Sequence, residues 1–127
     1  MPVTLDHVHL IVRDVDAAVA WFKEHIGATL DVQAEMYGAP QAYMRLGQGQ
    51  LLLRSKRPTD SEIRDKTGLE YGTDHFGIQV DDLDGTVARM KAKGVTVTVE
   101  PRVIDAHLTI AFVKGPDGVL IELLQRS

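Results

Sequence analysis

Cysteine is absent from the 127 residues of this chain, which excludes disulfide staples and thiolate metal sites. Runs of one charge sign are missing too. Fourteen Lys and Arg stand against 18 Asp and Glu, a net charge of −4 with no basic stripe, and this argues against a nucleic-acid partner. No apolar run approaches the length of a membrane span, and Met-Pro-Val does not open a signal peptide, so a cytoplasmic protein is expected. What remains is ordinary globular material, with 44% apolar and 25% charged residues, enough for one compact domain with a buried core.

The chain repeats itself. "LDHVHLIVRDVDAAVAWF" begins at Leu5 and "TDHFGIQVDDLDGTVARM" begins at Thr73. A shift of 68 residues places Asp6 on Asp74, His7 on His75, Val12 on Val80, Asp14 on Asp82 and Asp16 on Asp84, then Val19, Ala20 and Lys23 on Val87, Ala88 and Lys91. A solenoid needs three or more repeats, so two copies of this length imply a duplicated module instead.

Each copy reads as a strand with period-two alternation, "HVHLIV" or "HFGIQV", then an Asp-rich turn suited to capping a helix. Amphipathic helices follow over about 16–26 and 84–93, closed by Gly27 and Gly94. Three further strands are expected in each copy, at about 29–36, 41–46 and 50–55, and at about 95–100, 107–113 and 119–125. "GQGQ" and "GPDG" supply matching turns between the last two. The prediction is an α+β fold of two tandem βαβββ modules in one domain spanning 1–127. Module one covers about 1–55, a polar linker with room for a short helical turn about 56–72, and module two about 73–127.

Alternation sorts the strand side chains. Val8, Leu10 and Val12 should pack beneath the first helix, with His7, His9 and Ile11 on the opposite face. Phe76, Ile78 and Val80 repeat the first set, and His75, Gly77 and Gln79 the second. In the last strand Val119, Ile121 and Leu123 face the helix, leaving Leu120, Glu122 and Leu124 opposite. A carboxylate inside "GVLIELLQ" is costly unless a cation or hydrogen bonds compensate it. Taken singly, Glu122 on a solvated edge strand and half-buried, hydrogen-bonded His7 and His75 are the plainer readings. Duplication puts the histidines at equivalent points and the glutamate on their face. Two imidazoles and one carboxylate from separate strands suit a divalent metal with open coordination positions.

These motifs, together with "GPDGVLIELLQ", resemble the vicinal oxygen chelate superfamily, which includes glyoxalase I, methylmalonyl-CoA epimerase, extradiol dioxygenases and the fosfomycin and bleomycin resistance proteins. The resemblance spans almost the whole chain and implies an open, curved mixed β-sheet cavity with helices on its convex side. It also implies metal ligation by His7, His75 and Glu122, with one divalent ion per site drawn from Fe, Mn, Ni, Co or Zn. The fourth family position falls on Leu52, which neither binds a metal nor takes a proton. Glyoxalase-type isomerisation uses a carboxylate there, whereas extradiol dioxygenases resemble this chain in using two His and one Glu. Fosfomycin thiol transferases share that triad, and Tyr43 matches a substrate-facing tyrosine of that group, but Ile110 and Phe112 replace its hydroxyl-bearing residues.

The resemblance therefore implies a metalloenzyme that chelates a small substrate through adjacent oxygens, with lyase, isomerase or dioxygenase chemistry. The alternatives are a metal-free, drug-sequestering protein of bleomycin-resistance type and a thiol transferase of fosfomycin-resistance type. Glu122 and His9 are the candidate catalytic groups, His9 as a base with a pKa near working pH. Tyr43, Arg45, Arg54, Gln79 and Phe112 are candidate substrate contacts. His25 sits where it stabilises a helix C-terminus, and His107 starts a strand of open register. Trp21 and Phe22 read as core or interface. A homodimer is expected on the resemblance.

Overall fold

The computed structural model describes residues 2–127. The chain divides into two compact units, the first ending at Arg64 and the second spanning Asp65–Ser127.

The first unit contains β1 (His7–Ile11), α1 (Val15–Ile26), β2 (Thr29–Met36), β3 (Ala39–Leu46) and β4 (Gly49–Arg54). Its sheet has the order β1-β4-β3-β2, with β1 parallel to β4 and the other pairs antiparallel. α1 begins where Asp14 accepts a hydrogen bond from the Ala17 amide at 3.0 Å, satisfying a donor that the helix itself leaves unpaired. It ends at Gly27, whose φ of +78° suits a residue without a Cβ. Val15, Ala18, Val19 and Phe22 form its buried stripe. They lie over the sheet face that carries Met44, Leu51 and Leu53, all at most 2% exposed. Burying a side chain such as Phe22 contributes about 1.5–3 kcal/mol.

The second unit repeats the plan with β5 (Phe76–Gln79), α2 (Leu83–Ala92), β6 (Val97–Asp105), β7 (Leu108–Lys114) and β8 (Leu120–Arg126), ordered β5-β8-β7-β6. Again the first strand runs parallel to the last. Asp82 caps α2 through the Gly85 amide at 3.0 Å. Leu83, Val87 and Met90 pack with Ala111, Val113, Ile121 and Leu123 in its core. A 3₁₀ turn over Pro116–Gly118 joins β7 to β8.

The α+β class and both βαβββ units agree with the sequence expectation, and the helix bounds differ by one residue. β6 runs on to Asp105 instead of stopping near 100. It continues through Pro101 because it is an edge strand with interrupted pairing, where a missing N–H is tolerated. The segment after β4 holds a hydrogen-bonded turn, with the Asp60 amide donating to the Arg57 carbonyl at 3.0 Å, and no helix. No helix among the described residues is long and apolar enough to cross a membrane.

Candidate functional site

Residues paired across neighbouring strands project to the same side of a sheet. In the first unit the face away from α1 therefore carries three rows: His7–Gln50–Arg45, His9–Leu52–Tyr43 and Ile11–Arg54–Gln41. In the second unit the corresponding rows are Gly77–Glu122–Phe112 and Gln79–Leu124–Ile110, with His75 just before β5. Register alone thus equates Leu52 with Glu122, Tyr43 with Phe112 and His9 with Gly77.

In the second unit, His75 and Glu122 are brought together. The ring's Nε2 lies 2.9 Å from Glu122 Oε1, and its Nδ1 lies 2.8 Å from Asp74 Oδ2. Flanked by two carboxylates, the ring is held protonated to higher pH than usual: the Asp74 hydrogen bond is the main cause and Glu122 adds to it, against partial desolvation. Phe112 presses on the imidazole in an edge-to-face contact with centroids 4.9 Å apart, so it walls this pair. Gln79 is exposed on β5, opposite Leu124.

The first unit repeats the Asp–His pair, with His7 Nδ1 2.8 Å from Asp6 Oδ2. His9 stands edge-on to His7 with centroids 6.4 Å apart. Its pKa is lowered, first by desolvation and then by the charges of Arg54, Arg57 and His7. Tyr43 accepts from Gln41 Nε2 at 3.0 Å and donates to Met36 Sδ at 3.3 Å. Arg54 Nη1 donates to Asp60 Oδ2 at 2.6 Å, and Arg45 donates to Asp31 at 2.9 Å on an exposed edge. His25 is buried in the last turn of α1 against the Trp21 ring, and Phe22 is fully core. His107 closes the β6–β7 turn, with Nδ1 3.0 Å from the Ser127 carbonyl oxygen.

Among the described residues of either unit, no group of three or more His, Asp and Glu side chains is gathered as a metal cage. The donor chemistry nonetheless fits an ion. Donors on adjacent corners of a coordination shell with bonds of about 2.1 Å stand about 3 Å apart, close to the His75–Glu122 spacing. An aspartate on the far ring nitrogen is the usual partner of a ligating histidine. Sequence reasoning passed over Asp6 and Asp74 in this role, although their repetition beside both histidines was visible. It also missed Gln41, Arg57 and Asp60. These come from a central strand and a polar segment that carry no motif.

Comparison with known proteins gives a consistent family. Residues 4–123 match the model of the Glyoxalase/Bleomycin resistance protein/Dioxygenase superfamily. A protein of Vibrio cholerae named "Probable lactoylglutathione lyase" is 33% identical over 127 residues, covering 95% of this chain and 89% of that protein. An Arabidopsis thaliana protein, "Probable lactoylglutathione lyase, chloroplastic", is 34% identical over 135 residues, covering 95% of this chain but only 35% of the plant protein. Among solved structures, the glyoxalase I of Leishmania major superposes with a TM-score of 0.76 at 25% identity, covering 98% of this chain and 87% of that one.

Proposed function

Since the chain belongs to the Glyoxalase/Bleomycin resistance protein/Dioxygenase superfamily, we propose that it is a divalent-metal-dependent enzyme of glyoxalase type. In this reading His7, His75 and Glu122 hold the ion, and the substrate is a small molecule with adjacent oxygens. The observation that carries the proposal is the twinned Asp–His pair, 2.8 Å in each unit, joined in the second by Glu122 2.9 Å from His75. A bound metal would act as a Lewis acid that polarises a substrate oxygen.

The side chains divide the remaining work. Asp6 and Asp74 each accept the Nδ1 proton of a histidine, leaving Nε2 to ligate. Glu122 Oε1 approaches His75, so its second oxygen is available to carry a proton to or from substrate. His9 is the other proton acceptor, and its lowered pKa keeps the ring unprotonated, and so free to accept a proton, at neutral pH. Leu52 handles no proton, so the first unit's share of proton transfer falls to His9 and the second unit's to Glu122. Phe112 shields the His75–Glu122 pair in the second unit, and Leu52 stands beside His9 in the first.

The lactoylglutathione-lyase relatives support lyase or isomerase chemistry on an α-oxoaldehyde adduct. Leu52 in register with Glu122 favours a second reading, an iron-dependent dioxygenase with a two-His one-Glu triad. A cytoplasmic homodimer is the assembly proposed with either. Elemental analysis of protein purified without chelator, followed by turnover assays on thiol adducts of α-oxoaldehydes and on catechols, tests both. Nickel, zinc, cobalt or manganese with adduct turnover supports the first, and iron with oxygen consumption the second. Failure to bind any of these metals overturns both.

A further inference from the structure

The third row of the first unit's open face is covered by the turn that follows β4. Ser55 donates to the Pro40 carbonyl at 3.2 Å. Pro58 lies where a Cβ on Gly38 would come within 3.0 Å of it. This fold-back brings two guanidinium groups to one place. Arg54 donates to Asp60 at 2.6 Å and to the Ser55 carbonyl at 3.2 Å, and only 14% of its side chain is exposed. Arg57 lies over the Tyr37 ring, 4.9 Å from its centroid, and its Nη2 donates to Gln41 Oε1 at 2.7 Å. The chain continues from Gln41 Nε2 to the Tyr43 hydroxyl, beside Leu52 and His9 in the central row.

The charge balance of this cluster is incomplete. Asp60 serves both arginines, accepting from the Arg54 side chain and, at 2.8 Å, from the Arg57 backbone amide. Arg57's own guanidinium meets a neutral amide and an aromatic face, and its buried Nε finds no acceptor among the described residues. A buried donor without a partner is costly, and a guanidinium is built to hold a planar oxyanion in its fork. Gln41 and Tyr37 already fix its orientation, so little freedom remains to be lost on binding.

We propose that Arg57 and Arg54 form an oxyanion subsite which recognises a carboxylate carried by the substrate, with Asp60 as the internal anion that holds Arg54 until substrate arrives. The site lies on the face that bears His7 and His9. The substrate would thus be a small carboxylate-bearing molecule whose adjacent oxygens lie some distance along the same face. This rests on the metalloenzyme reading for the identity of the ligand as substrate. Anion binding itself needs no metal, so the two ideas fail separately.

The test uses isotopically labelled, chelator-treated full-length protein, titrated with sodium acetate and separately with sodium phosphate at constant ionic strength and pH. The readouts are the side-chain Nε–H resonance of Arg57 and the ring resonances of His9. Saturable shifts with acetate support a carboxylate site. Shifts with phosphate alone retain the subsite and replace carboxylate by phosphate ester, overturning the substrate class. No saturable response to either overturns the whole proposal. Arg57→Met should weaken binding about tenfold or more while leaving the amide spectrum folded, with Arg57→Lys intermediate because it keeps charge but loses the fork. Asp60→Asn should tighten acetate binding several-fold by freeing Arg54. Equal affinity in Arg57→Met, or no gain in Asp60→Asn, removes those residues from the site.

Discussion

The two units share a backbone plan and divide its chemistry between them. At the centre of its open face the second unit has Glu122, flanked by Gly77 and Phe112, with apolar Leu124 and Ile110 in the next row. The first has Leu52 in that central place, flanked by His9 and Tyr43, and its next row is polar, with Arg54 and Gln41. Where one unit keeps a carboxylate, its row and the next hold no arginine across β5, β8 and β7, and where the other assembles two arginines it has a leucine in the carboxylate's place. A negative metal ligand and a positive oxyanion clamp in adjacent rows would neutralise each other as a close ion pair. Duplication lets each be kept in its own copy of the sheet. The Asp–His pair alone is common to both, which marks it as the part whose role does not differ between copies.

The sharpest way to break this comparison is to remove the asymmetric carboxylate. Glu122→Ala should abolish stoichiometric metal binding and lower turnover by about 100-fold or more, whereas Leu52→Ala should leave metal content unchanged. Elemental analysis decides, and full metal content in Glu122→Ala would return Glu122 to a solvated strand position. His75→Ala should likewise lose the metal without unfolding. Next in size come the cores. Phe22→Ala should cost about 3–5 kcal/mol and Met90→Ala about 2–5 kcal/mol in denaturant unfolding, since each is fully buried beneath its own helix.

Asp74→Asn and Asp6→Asn should each weaken metal affinity about 10–100-fold, measured by competition with a chromophoric chelator. A large effect at one and none at the other would show that the units are unequal here too. Asp14→Ala and Asp82→Ala should each cost about 1 kcal/mol, equal within error because both cap a helix through one backbone amide at 3.0 Å.

The smallest effect is one of pH and belongs to the first unit. Hydrogen bonds from Arg54 and then from the Arg57 amide hold the Asp60 carboxyl below the usual carboxylate range. The unfolded chain therefore binds its proton first as pH falls. The stabilisation is complete above the ordinary value near pH 4 and is lost as pH drops through the lowered one. Asp60→Asn should flatten that part of the stability profile, with no change at neutral pH attributable to proton uptake at this position. Nothing in the second unit's equivalent row would respond.

The fold was legible because its punctuation is chemical. Asp14, Asp82 and Gly27 mark helix ends through bonds and dihedrals that few other residues supply. The strand alternation separated Ile121 and Leu123, both fully buried, from Glu122 without knowledge of the sheet. Glu122 and the two histidines stood out because charged or titratable groups at alternating strand positions demand an explanation. Arg57 and Asp60 did not stand out, since "SKRPTD" has the composition of any exposed linker. Only the fold-back that sets Pro58 against Gly38 gives them a partner. Arg45 shows the converse. Its strand position pointed to the open face, yet the bulge between Leu30 and Val32 brings in Asp31, which takes it up.

The parallel pairing of first and last strands fixes when each unit becomes competent. Hairpins β2–β3–β4 and β6–β7–β8 close through contacts between near neighbours in the chain, whereas His75 meets Glu122 across a separation of 47 residues. Long loops close late, because their entropy must be lost before any contact compensates for it. On contact order, the chemically equipped seam is therefore expected to be the last part of each unit to zip. On a ribosome, His75 would wait until the final strand had cleared the exit tunnel. Partial unfolding would silence the seam while most of the sheet remained intact.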